Sequence, residues 1–76
     1  MNNNKYKYSI RLDTYSEVTN FVNIVNNYDS NITLTDGKGY TVNAKSILGA
    51  LYTMEWSELY VLSSIDIYNS IKEFVI

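Results

Sequence analysis

The 76-residue chain contains no cysteine, no histidine and no proline. Without cysteine there is neither a disulfide framework nor a thiolate metal centre. Without histidine, imidazole-based triads and the usual zinc sites are excluded, so no metal and no cofactor are expected. Glycine occurs only three times, and two of the three sit in Asp36-Gly-Lys-Gly39, a strong turn signal. Charge is scarce too: six basic and eight acidic residues leave a net charge of −2 and a pI near 4.8. That balance argues against nucleic acid or an anionic membrane as partner. No apolar run approaches the ~20 residues that span a bilayer, and the N-terminus lacks the apolar core of a signal peptide. A single small domain over residues 1–76, soluble and cytoplasmic, is the expectation.

What is present is a clear pattern of elements. From Lys5 to Asp13 the chain alternates, with Tyr6, Tyr8, Ile10 and Leu12 on one side and Lys5, Lys7, Ser9 and Arg11 on the other. That period of two predicts a strand with one wet face. Thr14-Tyr-Ser-Glu17 has capping-box spacing, and Val18, Phe21, Val22, Val25 and Tyr28 follow at helical intervals, predicting an amphipathic helix that ends near Asn27. Asn31–Thr35 and Tyr40–Ala44 predict a hairpin around the glycine turn. Ser46 is placed to cap a short helix from Ile47 to about Tyr52. Met54 to Ser57 is a connection, and Glu58–Ile65 reads as a fourth strand. Asp66 or Ser64 then caps a last helix with Ile67, Ile71, Phe74 and Val75 inward. Asn2-Asn3-Asn4 is expected to be a frayed tail. The order βαββαβα predicts an α+β open-faced sandwich, a four-stranded antiparallel sheet with three helices on one face.

This element order, together with Asp29-Ser-Asn-Ile32 and Val42-Asn-Ala-Lys-Ser-Ile-Leu-Gly49, resembles HPr, the histidine-containing phosphocarrier family of the sugar phosphotransferase system. The resemblance runs from about Tyr6 to the C-terminus and is strongest over Asp29–Leu51. In that family a histidine at the start of the first helix carries the phosphoryl group, a nearby arginine helps hold it, and a proline follows the arginine. Reading backwards from Asp29 without gaps, those slots fall at Thr14, Ser16 and Glu17, so every one is replaced. Threonine offers no nitrogen nucleophile, and Glu17 puts a negative charge where a phosphate would dock on amides and the helix dipole. The family's glycine-rich connection before the fourth strand is replaced by a shorter, bulkier one containing Met54 and Trp56.

Ser46 matches the serine that a dedicated kinase phosphorylates in Gram-positive members of the family. It is therefore the candidate regulatory phosphorylation site, with adjacent Lys45 as a source of attraction for the phosphate; it is also simply a good helix cap. Ile47, Leu48 and Leu51 match partly exposed positions that contact protein partners in the family, and Trp56 and Met54 are candidates to extend that patch. The partners so implied are an HPr-type kinase, a phosphotransferase enzyme or a transcriptional regulator. Tyr60, Leu62 and Ser64 are expected on the open sheet face beside the stripe Lys5, Lys7 and Arg11, with the chain a monomer or weak homodimer. Asp36-Gly-Lys-Gly39 lacks the context of a phosphate loop, and Glu55, Glu58, Asp66 and Glu73 have no spacing that pairs them for acid–base work. The expectation is a non-enzymatic, HPr-like regulatory module. Phosphoryl transfer through a non-histidine acceptor, or a vestigial structural domain, are the alternatives.

Overall fold

The computed structural model describes residues 5–76, so the expected tail at Asn2–Asn4 lies outside the described residues. The chain forms β1 (Tyr6–Ser9), α1 (Tyr15–Val25), β2 (Ile32–Thr35), β3 (Thr41–Asn43), α2 (Ile47–Tyr52), β4 (Tyr60–Ser63) and α3 (Tyr68–Ile71). Short 3-10 turns follow α2 (Thr53–Glu55) and α3 (Lys72–Phe74). All strand pairs are antiparallel, in the order β1-β4-β2-β3.

Register decides which face is buried. Tyr8, Val61, Leu34 and Val42 lie opposite one another across the four strands, and Tyr6, Ser63 and Ile32 form the next row of the same face. Val61, Leu34 and Ile32 from this face join Val18, Phe21, Val22 and Val25 of α1 in one core. Burying each such side chain contributes roughly 1.5–3 kcal/mol. That packing matters because α1 is only 11 residues long and rich in β-branched residues and asparagine. Phe21 and Phe74 meet edge to face, with ring centroids 5.7 Å apart, and this contact fastens the C-terminal turn to α1.

The other sheet face is open. Tyr60 and Leu62 sit there half-buried, and the Lys7 ammonium lies 4.5 Å from the centre of the Tyr60 ring. Thr35 belongs to the same face but is buried, because the hairpin folds over it. Its hydroxyl donates to the Tyr40 carbonyl (2.8 Å) and accepts from the Gly37 amide (3.1 Å). Gly37 (φ +76°) takes a left-handed conformation against the Tyr60 ring, where a Cβ would come within 3.0 Å of Cε2.

Two elements differ from expectation. The strands are shorter: β1 stops at Ser9, after which the Ile10 amide turns to Leu59 and Ile10 bridges Val75. The last helix is a single turn of four residues, so Val75 does not belong to its buried stripe. A 3-10 turn brings Phe74 inward three residues after Ile71, and Val75 pairs with the chain after β1 instead. Ser64 falls just past the end of β4.

Candidate functional site

The N-terminus of α1, the slot at which the HPr resemblance places a phosphate, is closed by its own side chains. Thr14 is the extended N-cap (φ −131°, ψ 159°), and its Oγ1 accepts from the Glu17 amide at 3.1 Å. The Glu17 carboxylate accepts from the Thr14 amide at 3.1 Å and from the Asp13 amide at 2.8 Å. The second of these bonds goes beyond the box read from the sequence. Ser16 is exposed on the first turn. Thr14, Ser16 and Glu17 thus form a helix start in which a carboxylate occupies backbone donors that would otherwise meet an anion.

The second region is α2. The Ser46 hydroxyl accepts from the Gly49 amide at 3.1 Å, so it caps the helix as its position predicts. Lys45 does not face it. The Lys45 ammonium donates to the carbonyl of Tyr28, just beyond the C-terminal end of α1. Asn26 reaches the same corner, its amide group donating to the carbonyls of Val22 (2.8 Å) and Lys45 (3.1 Å). The expectation that Lys45 would lend its charge to a phosphate on Ser46 is therefore corrected. A carbonyl-rich helix end holds the ammonium instead, by hydrogen bonding and by the negative end of the dipole.

On the outer side of α2 Leu48 is 80% exposed and Ile47 41% exposed. Leu51 is half-buried and packs on the core. With Ser46 and Gly49 at its edge, a shallow depression of about 490 Å³ is walled by Val42, Leu48, Leu51 and Tyr52. Tyr52, 65% exposed, was missed by the sequence reading. Its position four residues after Leu48, one helical turn on, was the available signal. Met54 and Trp56 do not extend this patch. They line a separate cleft of about 210 Å³ with Ser57, Leu59 and the chain between β1 and α1. Trp56 goes there because its ring packs partly against the core.

A third cluster joins β1 to α3. The Tyr8 hydroxyl donates to Asp66 Oδ1 (2.7 Å) and accepts from the Ile67 amide (3.1 Å), and Asp66 Oδ1 also accepts from the Tyr68 amide (3.0 Å). The N-cap position of α3 is Ile67, which makes no side-chain cap bond, so neither Asp66 nor Ser64 is the helix cap expected from the sequence; Asp66, one residue earlier, instead accepts from the first helical amide, that of Tyr68. The Tyr68 amide, and then the Tyr8 hydroxyl, hold the Asp66 carboxyl below the usual carboxylate value. Burial, and then the bond to Asp66, push the Tyr8 phenol up. On the open face the Tyr60 hydroxyl donates to Glu58 (2.6 Å), which likewise raises the Tyr60 phenol.

Among the described residues no group of three or more acidic side chains is placed to hold a metal ion, and no helix is long and apolar enough to cross a membrane. Every buried side-chain polar atom among them has a hydrogen-bond partner. The fold and site together define an α+β protein with a four-stranded antiparallel open sheet, three helices and an exposed apolar patch on α2. The chain matches no protein-family profile, no curated protein and no solved structure.

Proposed function

We propose that this chain is an HPr-related protein without phosphocarrier activity, a non-enzymatic, cytoplasmic protein-binding module of the phosphotransferase and carbon-regulation system. The observation that carries the reading is the apolar side of α2. Leu48 and Tyr52 stand out into solvent, and the Ser46 hydroxyl sits on the edge of the same depression. Contiguous exposed apolar side chains around an uncharged helix have the composition of an interface core. A phosphate on Ser46 would place about two negative charges beside that apolar contact, which is how modification would control docking. The adjacency of β1 and β4, which the resemblance implies, supports the reading. So does the Thr14–Glu17 box, which leaves the first helix without a nitrogen nucleophile and with a carboxylate on its amides.

Two mass measurements test the reading. Incubation with phosphoenolpyruvate and the upstream phosphotransferase enzyme is expected to leave the intact mass unchanged. A stable adduct of about +80 Da, the mass of one phosphoryl group, would establish a carrier with an unusual acceptor. Incubation with an HPr-type serine kinase and ATP is expected to add one phosphate to the wild type and none to Ser46→Ala. No gain under conditions that modify a genuine HPr would remove Ser46 from the proposal.

A further inference from the structure

Asp36 and Gly37 are the one place in the chain where an acid or amide side chain precedes glycine. Such a pair is chemically labile, because a glycine without Cβ leaves its amide open to the neighbouring carboxyl. With that carboxyl protonated, the Gly37 nitrogen attacks Asp36 Cγ. The N–Cγ bond forms, the Cγ–OH bond breaks, and one water leaves with the amide proton. The succinimide ring then takes up one water at either carbonyl. Opening at Cγ restores aspartate; opening at the main-chain carbonyl leaves the chain running through the side chain, as isoaspartate.

The hairpin ties down both reacting groups. Asp36 Oδ1 accepts from the amides of Lys38 (2.7 Å) and Tyr40 (3.1 Å), which points the carboxyl along the turn. The Gly37 amide donates to Thr35 Oγ1 at 3.1 Å and so keeps its proton. Thr35 is buried and its hydroxyl is itself held by the Tyr40 carbonyl, so this acceptor does not turn away. Ring closure also requires the Asp36–Gly37 peptide to swing, yet Gly37 stands against the Tyr60 ring. That ring is fixed in turn by the bond from its hydroxyl to Glu58 and by the Lys7 ammonium over its face.

We infer that Asp36 is a covalent modification site gated by the hairpin, converting to isoaspartate from the opened turn and not from the closed one. The only co-reactant is water. Each hydrogen bond to a carboxylate resists opening by about tenfold, so the two on Asp36 set the closed hairpin roughly a hundredfold below the open chain. The product carries an extra backbone carbon between β2 and β3, next to the Thr35–Thr41 pair. A strand of three residues has few bonds with which to absorb that shift. The inference does not rest on the function proposed above, since the turn and water suffice.

Incubation of the chain at neutral pH, folded in buffer and unfolded in concentrated guanidinium chloride, tests it. Isoaspartate is read, after dilution, as methyl transferred from S-adenosylmethionine by an isoaspartyl methyltransferase, and is located by peptide fragmentation. The unfolded chain is expected to gain it at residue 36, and the folded chain roughly a hundredfold more slowly. Thr35→Ser keeps the acceptor for the Gly37 amide and should stay within about twofold of the wild type, whereas Thr35→Val should raise the folded rate at least about fivefold. Thr33→Val, on the same strand, should leave the rate unchanged, and Trp56 fluorescence checks that each variant is folded. Equal rates in the folded and unfolded wild type overturn the inference. So do equal rates in the folded serine and valine variants at position 35, and isoaspartate that arises first at another residue.

Discussion

Replacing Thr14 by alanine removes the acceptor of the Glu17 amide and leaves the other half of the box in place. The helix it starts has little else local to hold it: 11 residues, five of them β-branched (Val18, Thr19, Val22, Ile24, Val25), and a single acidic residue in its first turn. Loss of an N-cap oxygen costs about 1 kcal/mol, within a span of ~0.5–2. A domain of this length has roughly 4–11 kcal/mol of stability in total, so the loss is a tenth to a quarter of it. The expected fall in Tm is about 4–8 °C, the shift that 1 kcal/mol produces in a domain of this size. Urea unfolding followed by the fluorescence of Trp56, the one tryptophan of the chain, gives the same quantity as a lower midpoint at unchanged slope. Thr14→Ser, which keeps an oxygen at the cap, should recover all but a few tenths of a kcal/mol. Glu17→Gln keeps an acceptor for the amides of Asp13 and Thr14 but removes the charge, so it should cost only about 0.3–1 kcal/mol, less at high salt. If the alanine and serine variants unfold alike, or both match the wild type, the box does not hold this helix start. The claim that the box closes the start of α1 to an anion would fall with it.

Two further predictions concern the tertiary ties. Lys45→Met should destabilise the unmodified chain by about 1–2 kcal/mol, somewhat under the usual 1.5–3 for a charged hydrogen bond because the site is part-exposed; urea unfolding of a chain with unaltered stability would return Lys45 to Ser46. For the Tyr8–Asp66 tie the sign is set by the lowered Asp66 carboxyl: its stabilisation is complete above the unfolded carboxylate value near 3.8 and is lost as pH falls through the lower folded value. The raised Tyr8 phenol gives the opposite limb, complete below about 10 and lost as pH rises through the folded value. Asp66→Asn should therefore flatten the acid limb of the urea midpoint against pH, and an acid limb as steep as the wild type's would show that other carboxylates carry it.

The features legible in the sequence are those whose chemistry is local. The Thr14–Glu17 box spans three residues, and Ser46 with Ile47–Tyr52 is a cap followed by two turns; both stand where the spacing put them. The alternation from Tyr8 through Ile10 and Leu12 was also sufficient: Tyr8 is half-buried against the core, Ile10 and Leu12 are buried, and a slip of one residue would turn all three outward. Extents were less legible. Nothing in Lys5–Asp13 says that the Ile10 amide bonds Leu59 and that Val75 then covers Ile10. The single-turn α3 was overextended because Ile67, Ile71, Phe74 and Val75 fit a helical stripe, whereas the packed chain needs only the first three inward. Partners far apart in the chain were not legible at all: Lys45 and Tyr28 are 17 residues apart, and Tyr8 and Asp66 are 58 apart.

The Lys45 contact changes how the helical layer is to be understood. Counted along the sequence, Glu17 and Lys45 are an acid near one helix and a base near the other, which reads as a polar surface with charges to offer a partner. In the fold each neutralises a helix end: Glu17 sits on amides at the start of α1, and Lys45 on a carbonyl just past its finish. The same two residues that satisfy backbone groups at the ends of α1 thereby take charge off the face that α1 and α2 show to solvent. Whatever binds there must do so through Leu48, Ile47, Tyr52 and Tyr15, by shape and apolar contact, in an association that salt does not weaken. A marked loss of binding on raising salt would place the interface on the lysine-bearing sheet face instead.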